Sequence, residues 1–293
     1  MTAIDNSMNH PFPETVCRVN QFLDFLDVQF DVPNRPNWIE PKKYFAPNST
    51  KLATMRTETQ QRLRTDAANI VGSSILQAYQ WPIIVVAIAS YLLDQRVPDL
   101  SLDNVRLNFV NQDNIVKIGL QSGRFTALPS DPARDHPDAT VVINQDALRL
   151  TLRTEIENHL GLIIEQLCCQ FGAHPRGLWL AVSDRCASTL IWLMQEIDGL
   201  VDPPTIENEI DLLMKVPGTL LYSKPIGLFT LTYAENTYSF SKRATCCYLF
   251  KVKENSYCAT CPRLKKRKRT ERLLSYMAQK YGAAKPSRTA LSG

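Results

Sequence analysis

The chain has 293 residues, 44% hydrophobic and 21% charged. That balance is ordinary for a soluble globular protein, and the length allows one large domain or two with a fully buried core. The formal net charge of +4 is unevenly placed: residues 263–293 hold ten Lys/Arg against the single acid Glu271, which leaves the preceding body mildly acidic. Such asymmetry concerns a partner more than a fold. Residues 1–16 lack a basic start followed by an apolar run, so no secretory signal is expected. The longest apolar run, Trp81–Leu93, is thirteen residues. It is too short to span a bilayer, so no transmembrane segment is expected. The expected location is cytoplasmic and reducing, where eight cysteines need not form disulfides.

In chain order, residues 1–57 read as irregular, because prolines 11, 13, 33, 36, 41 and 47 interrupt most helical windows. Only Val19–Phe30 shows helical promise there, with Phe22, Phe25 and Leu26 on one face. A helix is expected from Glu58 to about Gln80. A second, apolar all round and therefore central, should start at Pro82 and run to about Gln95. Asn104–Val110 and Ile115–Leu120 alternate as the strands of a hairpin, with turn chemistry at 111–114. A polar loop covers 128–138, and Ala139–Asn144 reads as a further strand. Helices are expected over Gln145–Phe171, Pro175–Ile197 and Ile206–Val216, and a β-leaning stretch over Leu228–Tyr233. The fold class is therefore α+β, with helices packed on a small antiparallel sheet.

Half of the cysteines fall within sixteen residues: Cys246, Cys247, Cys258 and Cys261, with Pro262 directly after. Four close thiols in a reducing compartment point to a soft-metal site. A zinc ribbon needs two Cys-x-x-Cys knuckles, and only the second pair is one. Neighbouring residues of an extended segment face opposite ways, so Cys246 and Cys247 chelate one ion awkwardly. A [2Fe–2S] core, with two thiolates on each iron, accommodates them more readily. Spacing alone favours the cluster and leaves zinc open.

The doubled cysteine, ten residues and Cys-x-x-Cys-Pro resemble the C-terminal signature of the FhuF-type ferric-siderophore reductases. Arg243 before the pair and Tyr248, Leu249 and Phe250 after it resemble the flanks of that signature. Ala259 stands where glycine is frequent in the family, which removes no ligand. The resemblance covers about a tenth of the chain. It implies a [2Fe–2S] cluster on Cys246, Cys247, Cys258 and Cys261, and one-electron reduction of ferric siderophores, hydroxamates favoured, in the cytoplasm. It implies an α+β siderophore-binding region over 1–235 and a cluster segment with a basic tail over 236–293.

The sequence shows no Walker loop, no G-x-G-x-x-G, no G-x-S-x-G and no H-E-x-x-H. Electrons for a reductase must then come from outside, from a ferredoxin, a flavodoxin or their reductase. The run Arg263–Arg272 suits docking of such an acidic donor. Nucleic acid ranks lower, since no base-stacking aromatics accompany the run. The rival reading is a zinc-stabilised module that binds nucleic acid or protein through this basic segment. Cys168, Cys169 and Cys186 read as core residues, and Cys17 is similar. The four histidines read as structural. Trp179, Arg176, Arg185 and residues 222–224 are candidates to touch a siderophore, and none is assigned.

Overall fold

The computed structural model describes residues 10–23, 26–30, 38–111, 114–197, 202–252 and 257–281. The first element is helix α1, Pro11–Phe22, followed by strand β1, Asp27–Phe30. The sequence reading placed the N-terminal helix later, at Val19–Phe30, of which Phe25 lies outside the described residues. Pro11 and Pro13 do not break the helix; they occupy its first turn, where proline's missing N–H and fixed φ cost nothing. His10 Nδ1 caps it by accepting from Phe12 N at 3.1 Å. Asn20 of α1 then holds the following strand, donating to Val28 O and accepting from Val28 N.

Helices α2 (Pro41–Tyr44), α3 (Thr50–Leu63) and α4 (Ala68–Asp94) follow. The expected break at Pro82 is absent, and α4 runs through that residue. The break comes earlier, at Arg64, which adopts the left-handed conformation (φ 51°) and caps α3. Burial explains the continuity: Tyr79, Gln80, Ile83 and Ile84 all lie inside the fold, and their packing outweighs the ~3 kcal/mol an interior proline costs. Helix α4 is long and apolar enough to cross a membrane by composition, but 78% of its most apolar window is buried within the protein. It is the central element, packed against α1, α3 and two later helices, α5 (Gln145–Phe171) and α6 (Pro175–Glu196).

The strands form three small sheets around this core. Strands β3 (Val105–Asn111) and β4 (Asn114–Leu120) make the expected antiparallel hairpin, its turn residues 112–113 lying outside the described set. Strand β1 joins β4 in parallel. Strands β2 (Val97–Pro98), β5 (Phe125–Ala127) and β6 (Ala139–Val141) form the second sheet, in which β5 and β6 are parallel. The protein is α+β, with mixed rather than purely antiparallel pairing. Strand β6 is shorter than expected because Asn144 already caps α5, accepting from Ala147 N at 2.9 Å. Helix α7 (Pro203–Met214) begins three residues before the expected start, with Asp202 as its cap.

The third sheet is a hairpin of β7 (Gly227–Tyr233) and β8 (Asn236–Lys242), packed on α6. Strand β8 is absent from the sequence reading. Its turn uses Ala234 and Glu235 at φ 46° and 67°, where glycine or asparagine normally signals the turn. The last element is helix α8, Lys266–Tyr281, which buries Leu273 and Met277 and packs on β7.

One buried polar group couples this core to pH. His159 Nδ1–H donates to Leu100 O at 2.5 Å, and its Nε2 accepts from the Tyr79 hydroxyl at 2.8 Å. Burial holds the imidazole neutral and lowers its pKa to about 4. The unfolded chain binds that proton near pH 6.5, so stability falls as pH drops from about 6.5 to 4, by up to ~3 kcal/mol. Glu155, whose pKa burial raises, opposes this above the ordinary carboxylate range. His159→Gln should flatten the acid limb in urea melts; an unchanged limb contradicts the assignment.

Candidate metal centre

Strand β8 ends at Lys242 and delivers the chain to Arg243, Ala244 and Thr245. These three residues are pinned by one carboxylate from α6. Asp184 is 4% exposed and accepts from Ala244 N at 2.6 Å, Thr245 N at 3.0 Å and Arg243 Nε at 3.4 Å. Burial raises the Asp184 pKa, and these donors pull it back towards the charged form. Arg243 turns its other arm outward: Nη1 donates to Cys258 Sγ at 3.2 Å. A buried acid thus aims a guanidinium at a cysteine sulfur.

Cys246 and Cys247 follow directly. Tyr248 adopts the left-handed conformation (φ 58°), which folds its N–H back onto Cys246 Sγ at 3.4 Å. A single 3₁₀ turn, Leu249–Lys251, comes next. Residues 253–256 lie outside the described set. The chain returns at Tyr257, whose ring stacks on Phe250 at 4.7 Å with 12° between the planes. Cys258 and Cys261 form a knuckle closed by Cys261 N donating to Cys258 O at 3.0 Å. Arg272 of α8 donates to Tyr257 O at 2.6 Å, and Arg263 covers the rings of Tyr248 and Phe250.

The four cysteines line one cavity of about 240 Å³, together with Leu249, Phe250 and Tyr257. The thiols lie close enough to shift one another's pKa across the two halves of the motif, Cys247 with Cys258 and Cys246 with Cys261. The adjacent cysteines therefore turn to different partners, as the extended backbone requires. Four thiols around one hollow suit a centre held by four thiolates. The hydrogen bond from Cys258 lowers the Cys247 pKa, assisted by Leu249 N–H and Arg243. The same contact raises the Cys258 pKa, against the lowering by Arg243. Metal binding needs thiolates, and this set is prepared to supply them. Cys261 is 2% exposed, whereas Cys258 is exposed, so the centre has one open edge.

The remaining sequence candidates separate. Cys186 is buried with its pKa raised to about 12, an inert core thiol as expected. Cys17 and Cys169 are exposed, which corrects their reading as core residues, whereas Cys168 is half-buried and packs against the core. On α5 the apolar stripe passes through Leu167 and Phe171 and leaves Cys169 on the outer face.

The structure unites His10, His136 and Asp138, which share no spacing in sequence. Their hydrogen bonds oppose metal binding. Each imidazole Nδ1 accepts a backbone N–H, His10 from Phe12 and His136 from Asp138. A neutral ring then keeps its proton on Nε2, the nitrogen that faces the group. His10 Nε2–H donates that proton to Asp138 at 2.8 Å, a structural contact.

Of the candidate siderophore contacts, Trp179 is 7% exposed in the core and Arg176 donates to Tyr222 O. Arg185 lines a separate cavity beside the cysteines. Asp184 escaped the sequence reading. Its only sequence signal is an acid on the buried face of an otherwise apolar helix.

The basic run is partly used in the fold. Arg263 and Arg272 brace the cysteine loop, and Arg269 lies over the Phe229 ring. Lys265, Lys266 and Lys268 are exposed, and among the described residues they have no ion-pair partner.

No curated protein matches this chain. Residues 243–263 match the family model described as the FhuF 2Fe-2S C-terminal domain. The match runs from Arg243, past both cysteine pairs, to Arg263, and it points to a [2Fe–2S] cluster rather than zinc. Residues 243–263 are therefore similar to the 2Fe-2S C-terminal domain of FhuF-type proteins, and that similarity points to a [2Fe–2S] cluster on this stretch.

Proposed function

We propose that this protein is a cytoplasmic reductase of ferric siderophores, in which Cys246, Cys247, Cys258 and Cys261 hold a [2Fe–2S] cluster. Residues 1–235 serve as the siderophore-binding region and residues 236–293 carry the cluster. The observation that supports this most is the convergence of four cysteines on one cavity, within the stretch that matches the FhuF-type model.

When bound, such a cluster supplies single electrons. The chain's own residues set the conditions. Asp184 orients Arg243, and the Arg243 guanidinium stabilises negative charge on the Cys258 sulfur. Phe250, Tyr257 and Leu249 shield the inner side of the cavity from water, and exposed Cys258 leaves an edge for electron exchange. Lys265, Lys266 and Lys268 offer a cationic surface for an acidic ferredoxin or flavodoxin. Fe(III) in a siderophore is held by hard oxygen donors; as Fe(II) it is held more weakly and can pass to other ligands.

The test is anaerobic mixing of the dithionite-reduced protein, freed of excess reductant, with a ferric trihydroxamate. The visible bands should return as Fe(II) is trapped by a ferrous chelator, one Fe(II) per protein reoxidised. A reduced protein that stays reduced in the presence of ferric hydroxamate, citrate and catecholate chelates would sink the reading.

A further inference from the structure

A second cavity, of about 380 Å³, lies against α6, β8 and α8. It does not include the cysteine sulfurs, yet it reaches the back of their loop. Ala259 and Thr260, the two residues between Cys258 and Cys261, form part of its wall, and Arg243 forms another part. A ligand there would sit one loop's thickness from the cluster cavity. The volume falls within the usual range for small-molecule sites.

The polar groups of this cavity are unusually idle. Gln80 is 1% exposed, and its Oε1 has no hydrogen-bond partner. Ser241, 6% exposed, has an unpartnered Oγ. Both orphan atoms are closed to solvent, so the charged groups of the wall are what a ligand would meet. Asp184 is taken up by Arg243, and Glu196 by Lys280 at 3.3 Å. Arg185 is left half-buried, and among the described residues its guanidinium has no hydrogen-bond partner. Burial and the neighbouring Arg243 lower its pKa, against Cys186 and Asp184, which raise it. Trp192, Phe240 and Tyr276 supply apolar and aromatic wall.

We propose that this cavity seats the ferric chelate and that Arg185 clamps a carboxylate carried by it, so that the preferred substrate is a hydroxamate siderophore bearing a carboxylate. The proposal rests on the reductase reading above. A guanidinium fork matches a carboxylate with two parallel N–H···O bonds, which an uncharged trihydroxamate cannot accept. The step served is reduction of the chelate's Fe(III) to Fe(II) by one electron from the reduced cluster, with no bond formed to the protein.

Gallium(III) complexes test the seat separately from the chemistry, since gallium is not reduced. Binding of a gallium(III) trihydroxamate that bears a carboxylate outside the metal's coordination sphere is compared with that of an uncharged gallium(III) trihydroxamate by calorimetry on the intact protein. The wild type should bind the carboxylate-bearing chelate at least about tenfold tighter, as expected for a charge-assisted hydrogen bond. Arg185→Met should weaken that chelate about 10- to 100-fold and the neutral one less than about threefold, and Arg185→Lys should restore part of the loss. Equal affinity of the wild type for both chelates, or equal losses in Arg185→Met, overturns the proposal, and so does absence of binding. If the wild type is reoxidised by ferric chelates yet shows no anion preference, the seat is wrong and the reductase reading stands. If the Arg185-dependent preference is present but reoxidation fails with every ferric chelate, the seat stands and the reductase reading falls.

Discussion

Cys247→Ser is expected to strip the protein of its visible chromophore. The Cys258 thiol, Leu249 N–H and the Arg243 charge all lower the Cys247 pKa. A serine hydroxyl ionises far less readily, so the same three groups would face a neutral oxygen and no anionic ligand would form near pH 7. Disturbing groups around a metal ligand already costs 10- to 100-fold in affinity, so loss of a ligand should leave less than about a tenth of the wild-type iron. Cys169→Ser is the control: that residue is exposed on α5. Its spectrum and iron content should match the wild type. Equal iron in Cys247→Ser and wild type would remove Cys247 from the ligand set.

The second large effect is expected from Asp184→Ala, which touches no cysteine. Asp184 is the common acceptor for Ala244 N, Thr245 N and Arg243, and its side chain is almost wholly buried. Removing it leaves two N–H groups unsatisfied and places Arg243 beside Arg185 with nothing between their charges. Breaking a buried ion pair from one side costs about 3–5 kcal/mol, a fall in melting temperature on the order of 10 °C. Because Asp184 fixes the entry to the cysteine loop, iron should also leave the variant faster under a chelator. Asp184→Asn keeps one acceptor oxygen and should fall between the two. A melting temperature within a degree or two of wild type in Asp184→Ala, with unchanged iron loss, would show that the carboxylate does not hold the loop.

These two residues mark where the sequence is transparent and where it is not. The thiols of 246–261 stand out because four cysteines in one short stretch have few uses, and the doubled pair narrows them further. Helix α5 is legible to the residue: its apolar positions keep helical spacing, Asn144 caps one end, and Gly172 at φ 71° closes the other. Pro82 misleads because its cost is set by packing around α4, which local spacing does not contain. Strand β8 is hidden because its turn places alanine and glutamate at positive φ. Asp184 and Arg185 are the deepest case. They are neighbours on α6, yet one serves the cysteine loop about sixty residues away and the other faces a cavity. Neither role exists until β8 and α8 pack beside α6.

The account turns on what the four thiols hold, and metal analysis reads that most directly. The protein, purified without oxygen, should contain two irons and two sulfides per chain and little zinc, with visible bands that bleach on dithionite. A colourless protein with one zinc and no sulfide would contradict the account.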